Sequence, residues 1–144
     1  MGHGHALTLD LAERILLAAR TKAEALKVKE DIAIVDAGGN LKAFIRMDGA
    51  WLGSIDIAIR KARTARYFDM ESAKLGKMSQ PGEPLYGIEF SNGGLISFGG
   101  GIPLEDSEGN VIGAIGASGS TVDNDVKIAE AGVDACRRAK VATA

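Results

Sequence analysis

Short links between apolar segments constrain this chain more than any other feature. Residues 32–36 and 41–46 read as strands and are joined only by Ala37-Gly38-Gly39-Asn40. Glycine and asparagine tolerate positive φ, so this reads as a hairpin turn. A second group of segments at 95–98, 102–105 and 111–117 is joined by Gly99-Gly100-Gly101 and by Asp106-Ser107-Glu108-Gly109-Asn110. Links this short cannot carry a crossover, so the strands within each group pair antiparallel. The expected fold class is therefore α/β of the α+β type: an antiparallel sheet of five strands packed with helices.

The helices surround the strands in sequence. Residues 9–26 place Leu9, Ala12, Ile15, Leu16, Ala19 and Leu26 on one side, with Thr8 as N-cap. A second helix is expected over 55–68 with Ser54 as its cap, and a shorter one over 71–77. Pro81-Gly82-Glu83-Pro84 marks a loop, and 69–94 reads as an insertion between the strand groups. The last helix begins after Ser120 or Thr121, with Val122, Val126, Ala129, Val133 and Cys136 as its apolar stripe. The chain reads as a single domain over 1–144, with 1–6 as a flexible tail.

Composition excludes several classes. A net charge of −2, from 17 basic and 19 acidic side chains, is not that of a nucleic-acid binder. No apolar run reaches the ~20 residues of a membrane helix. Cys136 stands alone, so no intrachain disulfide forms, and a reducing, cytoplasmic setting is expected. The two histidines, His3 and His5, both lie in the N-terminal tail. No Ser-His-Asp or Cys-His site can be assembled in the body, and one His-x-His pair lacks the further ligands of a structural zinc site. No metal site is expected. The carboxylates Glu105/Asp106 and Asp123/Asp125 read as turn-forming and helix-dipole residues.

Two features point to a site. On the 55–68 helix, Asp56, Arg60, Arg63 and Tyr67 share the polar face, whereas Lys61 lies beside the apolar stripe. Either its ammonium snorkels to water, or it enters a partly closed pocket as a base, nucleophile or anion anchor. The runs Gly93-Gly94 and Gly99-Gly100-Gly101 flank one short segment. They serve either turn and bulge geometry or the close approach of a ligand to bare backbone. No Walker or strand-then-GxGxxG arrangement is present.

Several longer strings carry a resemblance. Val35-Asp36-Ala37-Gly38-Gly39, Met47-Asp48-Gly49-Ala50, the stretch from Gly53-Ser54-Ile55-Asp56 to Lys61-Ala62-Arg63-Thr64-Ala65, Leu85-Tyr86-Gly87-Ile88, Gly99-Gly100-Gly101-Ile102-Pro103-Leu104 and Val111-Ile112-Gly113-Ala114-Ile115-Gly116 together span most of residues 7–140. With them the chain resembles the GlcG/HbpS-like family of haem-binding-protein-like domains, also found as the C-terminal part of PduO proteins. The resemblance implies a profilin-like fold, homo-oligomers, and a small-molecule ligand such as haem or a similar planar anion. Haem iron would take its axial ligand from His3, His5, Lys61, Tyr86 or a weak oxygen donor. The expected ligand-contacting residues are Lys61, as the polar and catalytic centre, with Tyr86, Gly99, Gly100 and Gly101. The alternative is a lyase or isomerase for a carboxylated metabolite, centred on Lys61. On either reading, replacing Lys61 by Met is expected to leave folding intact.

Overall fold

The computed structural model describes residues 6–143. The expectations for the 1–6 tail, His3 and His5 concern residues 1–5, which lie outside the described residues. The elements run α1 (Leu9–Ala25), β1 (Asp31–Asp36), β2 (Leu41–Arg46), α2 (Gly53–Phe68), α3 (Ser72–Met78), a 3-10 turn (Ile88–Phe90), β3 (Gly101–Glu105), β4 (Val111–Ser118) and α4 (Val122–Thr143). Among the described residues, no helix is long and apolar enough to cross a membrane.

The sheet has four strands in the order β2-β1-β4-β3, every pair antiparallel. Both β-hairpins close by the same device. In Asp36-Ala37-Gly38-Gly39-Asn40, Gly38 N–H and Asn40 N–H donate to Asp36 Oδ1. In Asp106-Ser107-Glu108-Gly109-Asn110, Glu108 N–H and Asn110 N–H donate to Asp106 Oδ1. Gly39 and Gly109 hold φ of +78° and +83°, which a side chain would strain. Both turns sit at one end of the sheet, because Asp36 pairs with Gly113. The opposite end is left to other chemistry.

The expected fifth strand does not form. Residues 95–98 are irregular, because their backbone finds partners outside the sheet. Leu95 N–H donates to Glu89 O and Ile96 N–H to Thr64 Oγ1 on α2. Glycines on both sides, Gly94 at φ +111° and Gly100 at φ +125°, turn the chain away from β-geometry. A second correction concerns Ser54. It lies inside α2, buried, whereas the cap is Leu52, with no side-chain bond. Thr8 does cap α1, accepting from Leu11 N–H at 3.1 Å, and Thr121 accepts from Asn124 N–H in the first turn of α4.

The two faces of the sheet are covered differently. Against α1 and α4 lies a large aliphatic core that includes Ile15, Ile32, Ile34, Ile115, Ile128 and Cys136. Against α2 the residues are small: Val35, Ala62, Ala65 and Ala114. Helix α2 comes so close that a Cβ on Gly116 would strike Ala58 O and one on Gly101 would strike Lys61 O. Interiors packed to crystal-like density leave no slack for such an addition. This close seating brings Lys61 against the start of β3.

Candidate functional site

Lys61 is fully enclosed, at 0% exposure. Its ammonium does not reach water. Nζ donates to Asp125 Oδ2 at 3.0 Å and to Ala117 O at 2.9 Å. The Phe98 ring lies over it, 4.9 Å from Nζ to the ring centre, within range of a cation–π contact. Helix α2 packs on one face of the sheet and α4 on the other. The lysine therefore joins the two layers around the end of β3 and β4, and Gly100 makes the passage. A Cβ on Gly100 would sit 2.7 Å from Nζ and 2.6 Å from Ala117 O.

Asp125 holds a second bond, accepting Ser120 N–H on Oδ1 at 3.2 Å. It is buried and fixes the β4–α4 turn to the lysine, beyond any helix-dipole role. Next to it is Glu30, also buried. No N–H or hydroxyl donor reaches either Glu30 carboxyl oxygen. Its partner is the Asp125 carboxyl. Two carboxylates bond to each other only when one carries a proton. Burial, then the hydrogen bond and charge of Asp125, push Glu30 up to about 9, against a lesser opposing pull from Lys61. Glu30 is thus the group of the pair that holds a proton. Burial lowers Lys61 from its ordinary value, and Asp125 opposes that shift. Asp31 completes the acidic group, with both oxygens buried and without a hydrogen-bond partner. Burial raises its pKa, while Arg46, its cross-strand neighbour, pulls it down.

The residues expected at a site are only partly gathered. Lys61, Gly100 and Gly101 meet at one point. The space a Gly99 side chain would fill is taken by Val126 and Val122 of α4. The space at Gly100 is taken by Lys61, and that at Gly101 by α2 backbone and Ser72. Tyr86 stands outside the cluster at 69% exposure, near Phe90 at 93% in the same loop. The sequence reading missed Glu30 and Asp31. Lys29-Glu30-Asp31 resembles an ordinary polar flank before a strand, and only its tertiary partners set it apart.

With this geometry described, comparison with known proteins places the chain. Residues 7–134 match the family described as haem degrading protein HbpS-like. The chain belongs to the HbpS-like family. It is 38% identical over 129 residues to an uncharacterized 15.0 kDa protein in the dhaT-dhaS intergenic region of Citrobacter freundii, covering 89% of this chain and 90% of that one. It is 38% identical over 133 residues to the corrinoid adenosyltransferase PduO of Citrobacter freundii, covering 90% of this chain but only 39% of PduO. A solved structure of a PduOC:heme complex superposes with a TM-score of 0.86 at 36% identity, covering 91% of this chain and 95% of that one.

The buried group sets two expectations. Glu30 is neutral in the fold up to about 9, whereas its ordinary value is 4.5. Between those values the unfolded chain releases a proton that the folded chain keeps. Its contribution to stability is therefore full below 4.5 and is lost as pH rises toward about 9, by up to about 1.4 kcal/mol per pH unit. Glu30→Gln keeps a donor toward Asp125 without the titration. Urea unfolding across this range should show the variant matching the native protein near pH 5 and exceeding it by about 1–3 kcal/mol near pH 8.

The second concerns Lys61→Met. With the ammonium removed, Asp125 is left buried without its cation. The variant should lose about 3–5 kcal/mol in the same unfolding measurement, in place of the intact folding expected from the sequence.

Proposed function

We propose that this protein is an oligomeric small-molecule carrier whose ligand is a planar anion of the haem type. The observation that carries the reading is an aromatic surface in the segment between α3 and β3. Tyr86, Phe90 and Phe98 are all exposed there. Ser97 Oγ donates to Glu89 Oε2 at 2.8 Å, which ties the Phe90 turn to the irregular stretch before Phe98. Large aromatic side chains left bare on one segment suit the face of a flat ligand. The haem complex of the PduO relative supports the choice of ligand.

The residues present fit such a group in a particular way. Lys61 is spent on Asp125 and Ala117, so it serves as a buried positive charge beneath Phe98 and not as an iron ligand. Tyr86 offers an exposed phenol, an oxygen donor of the kind that holds haem iron in some proteins. Phe90 supplies ring contact, while Gly99, Gly100 and Gly101 are buried beneath the segment, their space filled by Val126, Lys61 and Ser72. Haem, when bound, would supply the redox chemistry; the chain's part is to seat the ring and shield one face.

Self-association is the second part of the proposal. Trp51 and Leu52, ahead of α2, are large and exposed, as an interface requires. Light scattering at micromolar concentration should give a mass well above 15.0 kDa. A monomer throughout that range would refute it. The lone thiol, Cys136, supports a cytoplasmic setting.

Titration with haemin tests the ligand. A saturable shift of the Soret band is expected, with Phe90→Ala weakening binding about tenfold, close to 1.4 kcal/mol. Tyr86→Phe should abolish the phenolate-to-iron charge-transfer band. Absence of a saturable Soret shift would overturn the haem reading.

A further inference from the structure

We propose that Lys61 is a gated amine nucleophile: displacement of the Phe98 ring opens it to small aldehydes, which it captures as an iminium. The proposal is independent of haem binding, since it needs only the buried cluster and the segment above it.

Phe98 covers one side of Nζ. Two of the three ammonium protons have acceptors, Asp125 Oδ2 and Ala117 O. The ring of Phe98 covers the atom at 4.9 Å to its centre, yet Phe98 is itself 42% exposed. A single side chain therefore lies between the amine and solvent on that side. Its segment is not part of the sheet and is anchored through side-chain contacts: Ile96 N–H on Thr64 Oγ1, Ser97 Oγ on Glu89, and Arg60 on the carbonyl oxygens of Gly93 and Gly94. Behind Phe98, Gly99 packs against Val126 and Gly100 against Lys61, and Gly100 O accepts Ala117 N–H, so the opening is a swing of the ring and not of the backbone beneath it. Lys61 is fully enclosed in the closed form, so the room for a ligand is what the ring vacates. That limits the ligand to a carbonyl compound no larger than a benzyl group.

The acidic neighbours supply the proton transfers. Asp125 takes one proton from the ammonium and frees the nitrogen lone pair. The nitrogen bonds to the carbonyl carbon while the C=O π pair moves to oxygen. A second proton passes from nitrogen to that oxygen, Asp125 returns the first, and water leaves. The product is an iminium cation facing the Asp125 carboxylate, so the charge of the cluster is unchanged. Burial, which lowers the Lys61 pKa, favours the neutral amine that attacks. Glu30, pushed up by burial, holds its own proton beside the pair.

Propionaldehyde with cyanoborohydride at neutral pH reduces any iminium to a stable secondary amine, which peptide mass mapping locates. In the native protein Lys61 should be alkylated at least as fast as the exposed Lys42. Phe98→Ala should speed labelling of Lys61 about tenfold, and Phe98→Leu by less. The native rate should not change with urea well below the unfolding transition, because the opening is local. Lys61 left unlabelled while Lys42 reacts would overturn the proposal. So would equal rates with and without the ring, or labelling that climbs with urea and so reports global unfolding.

Discussion

The ion pair between Lys61 and Asp125 is the constraint around which the rest of the structure is arranged. Its members lie on helices that cover opposite faces of the sheet, so the contact acts as a tie through the end of β3 and β4. A buried ion pair repays its desolvation only when the geometry is close and the remaining polar atoms are satisfied. Ala117 O meets the ammonium, Ser120 N–H meets the carboxylate, and a protonated Glu30 bonds to the same carboxylate. Glycine stands wherever a side chain would enter this space. A Cβ at Gly100 would press on the lysine, and one at Gly119 would come within 3.2 Å of Glu30 Oε2.

The opposite end of the sheet shows a different logic. There both hairpins use the sequence Asp-x-x-Gly-Asn, and the aspartate accepts two backbone N–H groups in each. Local chemistry of this kind can be read directly from the chain, because donor, acceptor and left-handed residue lie within five positions. The boundaries of β2, and of α1 and α2 to within two residues, were legible for the same reason: periodicity is local. The family also was legible, since its strings recur along almost the whole sequence.

What sequence could not deliver was partner choice over distance. Residues 95–98 have the composition of a strand, but a strand exists only where an edge receives it, and Thr64 and Glu89 claim these amides first. Lys61 was conspicuous by its angle on the helix, yet its partner lies 64 positions away. Asp125 looked like a dipole-complementing residue and Glu30 like a polar flank. Each reading was adequate locally and incomplete in the fold. The glycine run was ambiguous in the same manner. Its freed volume is used by Val126, Lys61 and α2 themselves, which a sequence cannot distinguish from a space held for a ligand.

Phe98 is where the buried and exposed chemistry meet. One side of its ring rests on the lysine ammonium and the other faces solvent within the aromatic segment. A cation–π contact is worth about 0.5–2 kcal/mol, far less than the pair beneath it. The two layers therefore differ in stiffness. The ion pair, its glycines and the protonated Glu30 hold as one unit, while the ring above is retained by a weak contact and by a segment outside the sheet. A change at the surface that moved the ring would alter the dielectric around Lys61 without breaking the tie to Asp125. The ring of Phe98 over Nζ is therefore the contact through which the exposed aromatic segment meets the buried cluster.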